Sequence, residues 1–272
     1  CMSRIWVNGK EVEASEDRKL MDVLRNDCHL KSIKDGCSQG ACGSCTVVID
    51  GNAIKACVQT MKRMEGKHIL TVEGLTDYEK EVFVYSFGEA GAVQCGFCIP
   101  GMVMCAKALL DKTLTPSREE IAFAIRNNIC RCTGYKKIVA AIELAASIFR
   151  GEVQIPAKES GVSVGRKYHR IDAREKVLGT GQYIDDVEIE GMTYAGAIRS
   201  AYPRARVLKV NKDAALALDG VIAVLTAEDI PGNRQVGHIK HDWDVMIPTG
   251  EITHFLGDVI CLVVAETEEI LE

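Results

Sequence analysis

Four cysteines constrain this chain more than any other feature: Cys37, Cys42, Cys45 and Cys57, spaced Cys-x4-Cys-x2-Cys-x11-Cys. Four thiolates at that spacing hold a [2Fe-2S] cluster. Three of them share one loop with Gly36, Gly40 and Gly43, and glycine lets a backbone wrap an inorganic core with no Cβ in the way. The loop amides can then point at sulfur, and such bonds, with burial, set a cluster's reduction potential. Structural zinc also accepts four thiolates, but usually from two separate short pairs. Three ligands crowded on a Gly-rich loop with a lone fourth favour iron–sulfur.

A second quartet follows as Cys95-x2-Cys98-x31-Cys130-x-Cys132. Both of its pairs precede a predicted helix, where the positive dipole end and unpaired amides favour thiolates. Cys130 and Cys132 are too close for an ordinary strand to aim both at one ion, so a turn is expected, and Gly134 suits it. On spacing alone, zinc and iron fit this site equally. The remaining cysteines among the twelve are Cys1, Cys28, Cys105 and Cys261, which read as small buried hydrophobes or free thiols.

Cysteines bunched at short spacings favour metal ligation over disulfides and fit a reducing, cytoplasmic setting. The start of the chain has no basic segment followed by an apolar core, so no secretory signal is expected. No apolar run reaches the roughly 18 residues of a membrane span. The net charge is -5 with its basic residues scattered, which argues against a nucleic-acid surface. At 272 residues, two or three domains are expected.

Residues 4–14 carry β-rich runs around Asn8-Gly9, a strong hairpin signal. A helix is expected from about Arg18 to Asp27, with Leu20, Val23 and Leu24 on one face. Thr46 to Asp50, a turn at Gly51-Asn52 and Ala53 to Cys57 form a second hairpin, whose far strand brings Cys57 back to the loop. Beyond Leu75 the pattern turns helical: Asp77 to Glu89, a helix opened by Pro100 and running to about Leu110, one capped by Ser117 and ending near Asn127, and one over Tyr135 to Phe149. Four such helices can close around one core.

Three motifs then coincide in order: Gly36 to Val47 around the first quartet, Gln94-Cys95-Gly96-Phe97-Cys98-Ile99-Pro100-Gly101-Met102, and Asn128-Ile129-Cys130-Arg131-Cys132-Thr133-Gly134-Tyr135. Together they resemble the two-cluster iron–sulfur part of the molybdenum hydroxylases, the family of xanthine dehydrogenases, aldehyde oxidoreductases and azaheterocycle hydroxylases. The resemblance implies a β-grasp fold like that of plant-type ferredoxins for 1–76 and a four-helix domain for 77–150. It implies a second [2Fe-2S] cluster on Cys95, Cys98, Cys130 and Cys132, nearer to molybdenum than the one on Cys37, Cys42, Cys45 and Cys57. Gln94 and Cys132 match positions that approach the pterin of the molybdopterin cofactor, and a side-chain amide suits a pterin edge because it both donates and accepts.

Residues 151–165 read as a linker. From there, Gly165 to Gly179, Tyr183 to Asp186 and Gly220 to Pro231 resemble the α/β hammerhead region that opens the molybdenum-binding part, so 166–272 is expected to be an incomplete domain of that kind. Strands are expected over Met192 to Ser200, Gly220 to Leu225 and Val259 to Ala265, with a helix at Lys212 to Leu218. The helix begun at Thr267 is too short to bury a face alone, so completion by further polypeptide is expected.

The fold class is therefore α+β. The implied function is electron transfer from a molybdopterin site, where a purine, azaheterocycle or aldehyde is hydroxylated, through two clusters to a flavin or other acceptor. The expected partners are a molybdenum-binding polypeptide carrying the small-molecule substrate and, since only a linker follows the clusters, FAD on a separate subunit. A stand-alone two-cluster redox carrier is the rival reading. Gly179-x-Gly181 lacks the third glycine of a dinucleotide fingerprint, and His238, His241 and His254 read as polar loop residues rather than ligands.

Overall fold

The computed structural model describes residues 1–157, 164–165, 167–187 and 189–272. The chain divides into two compact units, 1–183 and 184–272. Most of the expected linker core, residues 158–163, lies outside the described residues.

The first unit begins with a five-stranded mixed sheet. Its strands are β1 (Met2–Val7), β2 (Lys10–Ser15), β3 (Thr46–Ile49), β4 (Asn52–Lys55) and β5 (His68–Leu70), in the order β2-β1-β5-β3-β4. β1 and β5 are parallel and the other neighbours antiparallel. Asn8 and Gly9, at φ 50° and 80°, make the first hairpin. The second turns at Asp50-Gly51, φ 47° and 80°, one residue earlier than expected, because Asp-Gly supplies both positive φ values that a two-residue hairpin needs. The helix of 18–27 is real but mixed: α1 (Leu20–Asp22) passes into a π-turn over Val23–Asp27. Leu20, Val23 and Leu24 are buried and pack with Ile5, Val47, Ile49 and Ile69 beneath the sheet.

The helical part has α2 (Asp77–Glu89), α3 (Ile99–Leu110), α4 (Arg118–Ala124) and α5 (Lys136–Phe149). Capping boxes at Thr76/Glu79 and Ser117/Glu120 start α2 and α4, satisfying the first orphan amides. α4 ends three residues before its expected limit. α3 is buried on nearly every side and packs on α4, while α2 packs on α5. α3 also packs on β3, which joins the helical part to the sheet. A further helix, α6 (Ala173–Leu178), lies against α2 and α3. It buries Ala173 and Val177 in the same core, although its residues fall in the stretch expected to open the hammerhead region.

The second unit carries an antiparallel sheet, β6-β10-β7, from β6 (Tyr194–Arg199), β7 (Val221–Thr226) and β10 (Val259–Ala265). Short helices α7 (Asp213–Leu216) and α8 (Glu268–Leu271) flank it. A small hairpin pairs β8 (Gln235–Val236) with β9 (Trp243–Asp244), so the stretch 237–244 is a hairpin connection ending in a strand. His238 and His241 are exposed in that connection. His254 instead has Nδ1 3.8 Å from Asp258 and 4.0 Å from Asp244. Among the described residues no helix is long and apolar enough to cross a membrane.

Candidate redox centres

The first site is one loop closed by one strand. Asp35 accepts the backbone N–H of Cys37 at 3.2 Å and of Ser38 at 2.8 Å, and also the Ser38 hydroxyl. That bends the chain so that the N–H groups of Gln39 and Cys42 aim at Cys37 Sγ, at 3.5 and 3.4 Å. These donors hold the Cys37 thiol down to about 7. Lys55 at the end of β4 donates to the Gly40 carbonyl at 2.6 Å, tying the loop tip to the strand. The next turn, Ala56–Val58, seats Cys57. Cys45 and Cys57 are buried, at 2% and 3% exposure, and burial pushes Cys45 up to about 12.

The second site is assembled from two helix starts. Cys98 is the residue before α3, and Cys130 and Cys132 lie in the turn before α5. Cys95 and Cys132 bring their sulfurs to 3.5 Å. Cys98 is 6% exposed, and burial drives its thiol far up, helped by the Cys130 sulfur. At Cys130 burial also opposes the thiolate, but the Thr133 hydroxyl and the amides of Thr133 and Cys132 outweigh it and keep the pKa below the ordinary value. The turn contains a non-glycine residue in the left-handed region, Tyr135 at φ 67°. A price is attached to such a conformation; here the Tyr135 hydroxyl oxygen accepts the Cys130 N–H at 2.8 Å and its own N–H bonds Thr133 Oγ1 at 3.2 Å. On the other side, Tyr183 donates its hydroxyl to the Cys95 carbonyl at 2.8 Å and meets Phe97 edge-on. The ammonium groups of Lys34 and Lys176 lie 4.9 and 4.1 Å from its ring centroid.

Asn128 and Ile129 tie the two sites together. Ile129 N–H donates to the Cys42 carbonyl at 2.8 Å, and the Asn128 side-chain amide donates to the Gly43 carbonyl at 2.9 Å. Asn128 is 2% exposed and accepts the Cys105 thiol at 3.1 Å. A Cβ on Gly43 would stand 2.4 Å from the Asn127 carbonyl, and one on Gly101 2.6 Å from the Gly43 carbonyl. Glycine at both positions is what lets the loop, α3 and the 127–129 segment touch.

Of the eight cysteines in the two sequence quartets, Cys95 and Cys132 bring their sulfurs to 3.5 Å, and among the described residues no group of three or more His, Cys, Asp or Glu side chains is gathered closely enough to hold a metal ion. Buried thiols such as Cys45 and Cys98 become thiolates readily only beside metal charge, so the donor set fits a two-iron core. Gln94 is exposed beside Cys95, and Cys132 is exposed as well. Asn128, Thr133, Tyr135 and Tyr183 carried no individual signal in the sequence beyond their place in the motifs. Of the remaining cysteines, Cys105 and Cys261 are buried, Cys28 is half-buried and Cys1 exposed.

A β-grasp loop site followed by a helical-bundle site defines a two-centre iron–sulfur protein, and comparison with known proteins gives the same class. Residues 5–71 match a 2Fe-2S iron-sulfur cluster binding domain and 71–143 a [2Fe-2S] binding domain. Residues 178–272 match the a/b hammerhead domain of aldehyde oxidase and xanthine dehydrogenase. The nicotinate dehydrogenase small FeS subunit of Eubacterium barkeri is 42% identical over 53% of this chain and 96% of its own length. An aldehyde oxidoreductase of Megalodesulfovibrio gigas is 38% identical over 97% of this chain, which spans 31% of that protein. The crystal structure of the aldehyde oxidoreductase from Desulfovibrio desulfuricans superposes with a TM-score of 0.85 at 31% identity, covering 98% of this chain and 32% of its own. The chain belongs to the xanthine dehydrogenase and aldehyde oxidoreductase family of molybdenum hydroxylases, and it carries that family's two [2Fe-2S] domains and part of its hammerhead domain.

Proposed function

We propose that Cys37, Cys42, Cys45 and Cys57 hold one [2Fe-2S] centre, that Cys95, Cys98, Cys130 and Cys132 hold a second, and that the chain conducts electrons between a molybdopterin site and an acceptor. The observation that carries this reading is the match of residues 5–71 and 71–143, which hold the two quartets, to two [2Fe-2S] binding domains. Bound clusters supply one-electron transfer, and the protein supplies position, burial and hydrogen bonds. Buried Cys45 and Cys98 exclude water from one end of each core. Amide donors at Cys37 stabilise negative charge on sulfur. The contacts of Asn128 and Ile129 with the first loop fix how the two cores face each other.

The exposure of Gln94 and Cys132 supports the second site as the one that meets the pterin, Gln94 by donating and accepting along its edge. The hydroxylation itself, of a purine, azaheterocycle or aldehyde, belongs to a molybdenum-binding polypeptide, with FAD on a separate subunit and the whole in the cytoplasm. The hammerhead match at 178–272 supports this assembly over a free-standing carrier. Metal analysis with EPR of the reduced native assembly tests the reading. Two distinguishable iron–sulfur signals, with molybdenum co-purifying, are expected; one signal, or zinc in place of iron, overturns it.

A further inference from the structure

The two sites differ in how sulfur is hydrogen-bonded. At the first, Cys37 Sγ takes its bonds from the backbone N–H groups of Gln39 and Cys42, which no change of side chain other than to proline removes. At the second, backbone amides of Cys132 and Thr133 also reach Cys130 Sγ, but a side-chain hydroxyl joins them: Thr133 Oγ1 lies 3.1 Å from that sulfur. The same oxygen accepts the Tyr135 N–H at 3.2 Å. A hydroxyl has one proton and two lone pairs. With a lone pair engaged by Tyr135, its proton is free to aim at Cys130, and a thiolate sulfur has no proton of its own to offer, so Thr133 is the donor.

The direction is fixed by the turn rather than left to rotation. Tyr135 is held at φ 67° and its hydroxyl oxygen accepts the Cys130 N–H at 2.8 Å, so the turn closes on Thr133 from both sides.

We propose that Thr133 sets the reduction potential of the second centre through its hydroxyl bond to Cys130 Sγ, independently of the first centre. Reduction adds one electron to the core; no bond is made or broken and no proton is required. The added charge spreads onto the sulfur ligands, and a bond to a more negative acceptor is stronger. The hydroxyl therefore favours the reduced state and raises the potential.

This rests on the ligand assignment proposed above, and the test separates the two. In the native assembly, Thr133→Val keeps the side-chain shape and removes the hydroxyl, whereas Thr133→Ser keeps the donor. EPR-monitored redox titration is expected to show one centre shifted to more negative potential in the valine variant, the other unmoved, and the serine variant near wild type. The shifted centre should be the one that Cys98→Ser abolishes. Should the valine variant fail to assemble, Thr133→Ala gives the same reading. Proton ENDOR on the reduced wild type, before and after exchange into D2O, should show an exchangeable proton coupled to that centre that the hydroxyl-free variants lack.

Two intact centres with unmoved potentials, an equal shift of both, or survival of the coupled proton would overturn the role of Thr133. A wild type lacking the second centre would instead overturn the ligand assignment.

Discussion

The two cysteine sites of this chain solve one chemical problem by opposite means. The first is local: three cysteines on one loop, the fourth on the turn that follows β4, and sulfur bonded by the loop's own amides. The second exists only after α3 and α5 have packed, because their starts carry ligands separated by 31 residues. A site written into one loop survives small changes in distant packing, whereas a site assembled between helices inherits the stability of the bundle.

Ligand substitution should give the largest effect and keep the sites apart. Cys45→Ser is expected to remove the first centre and Cys98→Ser the second, each leaving about half of the iron in place, as metal analysis and EPR would show. If either change empties both sites, the two are one cooperative unit and the contrast fails. Asn128→Asp tests where they join. It sets an acceptor, and a buried charge, against the Gly43 carbonyl in place of the donor seen at 2.9 Å, at a cost on the order of 3 kcal/mol. A lowered temperature of loss for each EPR signal is expected; a change in only the second would mean that the bond does not couple the sites.

A smaller, pH-dependent effect should appear on the bundle side through Glu79. Burial opposes the charge of Glu79, but the Thr76 N–H and hydroxyl and the Lys107 ammonium, 2.9 Å away, hold its carboxyl below the ordinary 4.5. A depressed folded pKa contributes stability that is complete above the unfolded value and is lost as pH falls through the folded one. Acid titration downward from about pH 5 should therefore weaken the second centre's scaffold. Glu79→Gln should flatten that dependence while lowering stability at neutral pH. Thr76→Ala, which removes the cap of the same helix, should cost about 1 kcal/mol; thermal melts followed at the second centre's absorption measure both.

Much of this was legible in the sequence because it is local. Asn8-Gly9 fixed a hairpin, the Ser117 box matched a helix start, and the spacing of the first quartet pointed to its chemistry. The second quartet stayed ambiguous between zinc and iron on spacing alone, since 31 intervening residues hide which sulfur meets which. The link from Asn128 to Gly43 spans 85 positions and leaves no periodic trace. Thr133 and Tyr135 looked like turn residues, and only the left-handed φ of Tyr135 revealed why the turn closes on Cys130. α6 escaped because six residues beyond a polar linker carry too short a pattern to stand out; Ala173 and Val177 gain their meaning from the core they enter.

Iron K-edge X-ray absorption on the native protein tests the central claim most directly. The account predicts a first shell of sulfur alone and a short iron–iron vector, the signature of paired thiolates at each end of a two-iron core. An iron shell lacking a neighbouring iron, or the same sulfur shell found at the zinc edge, would contradict it.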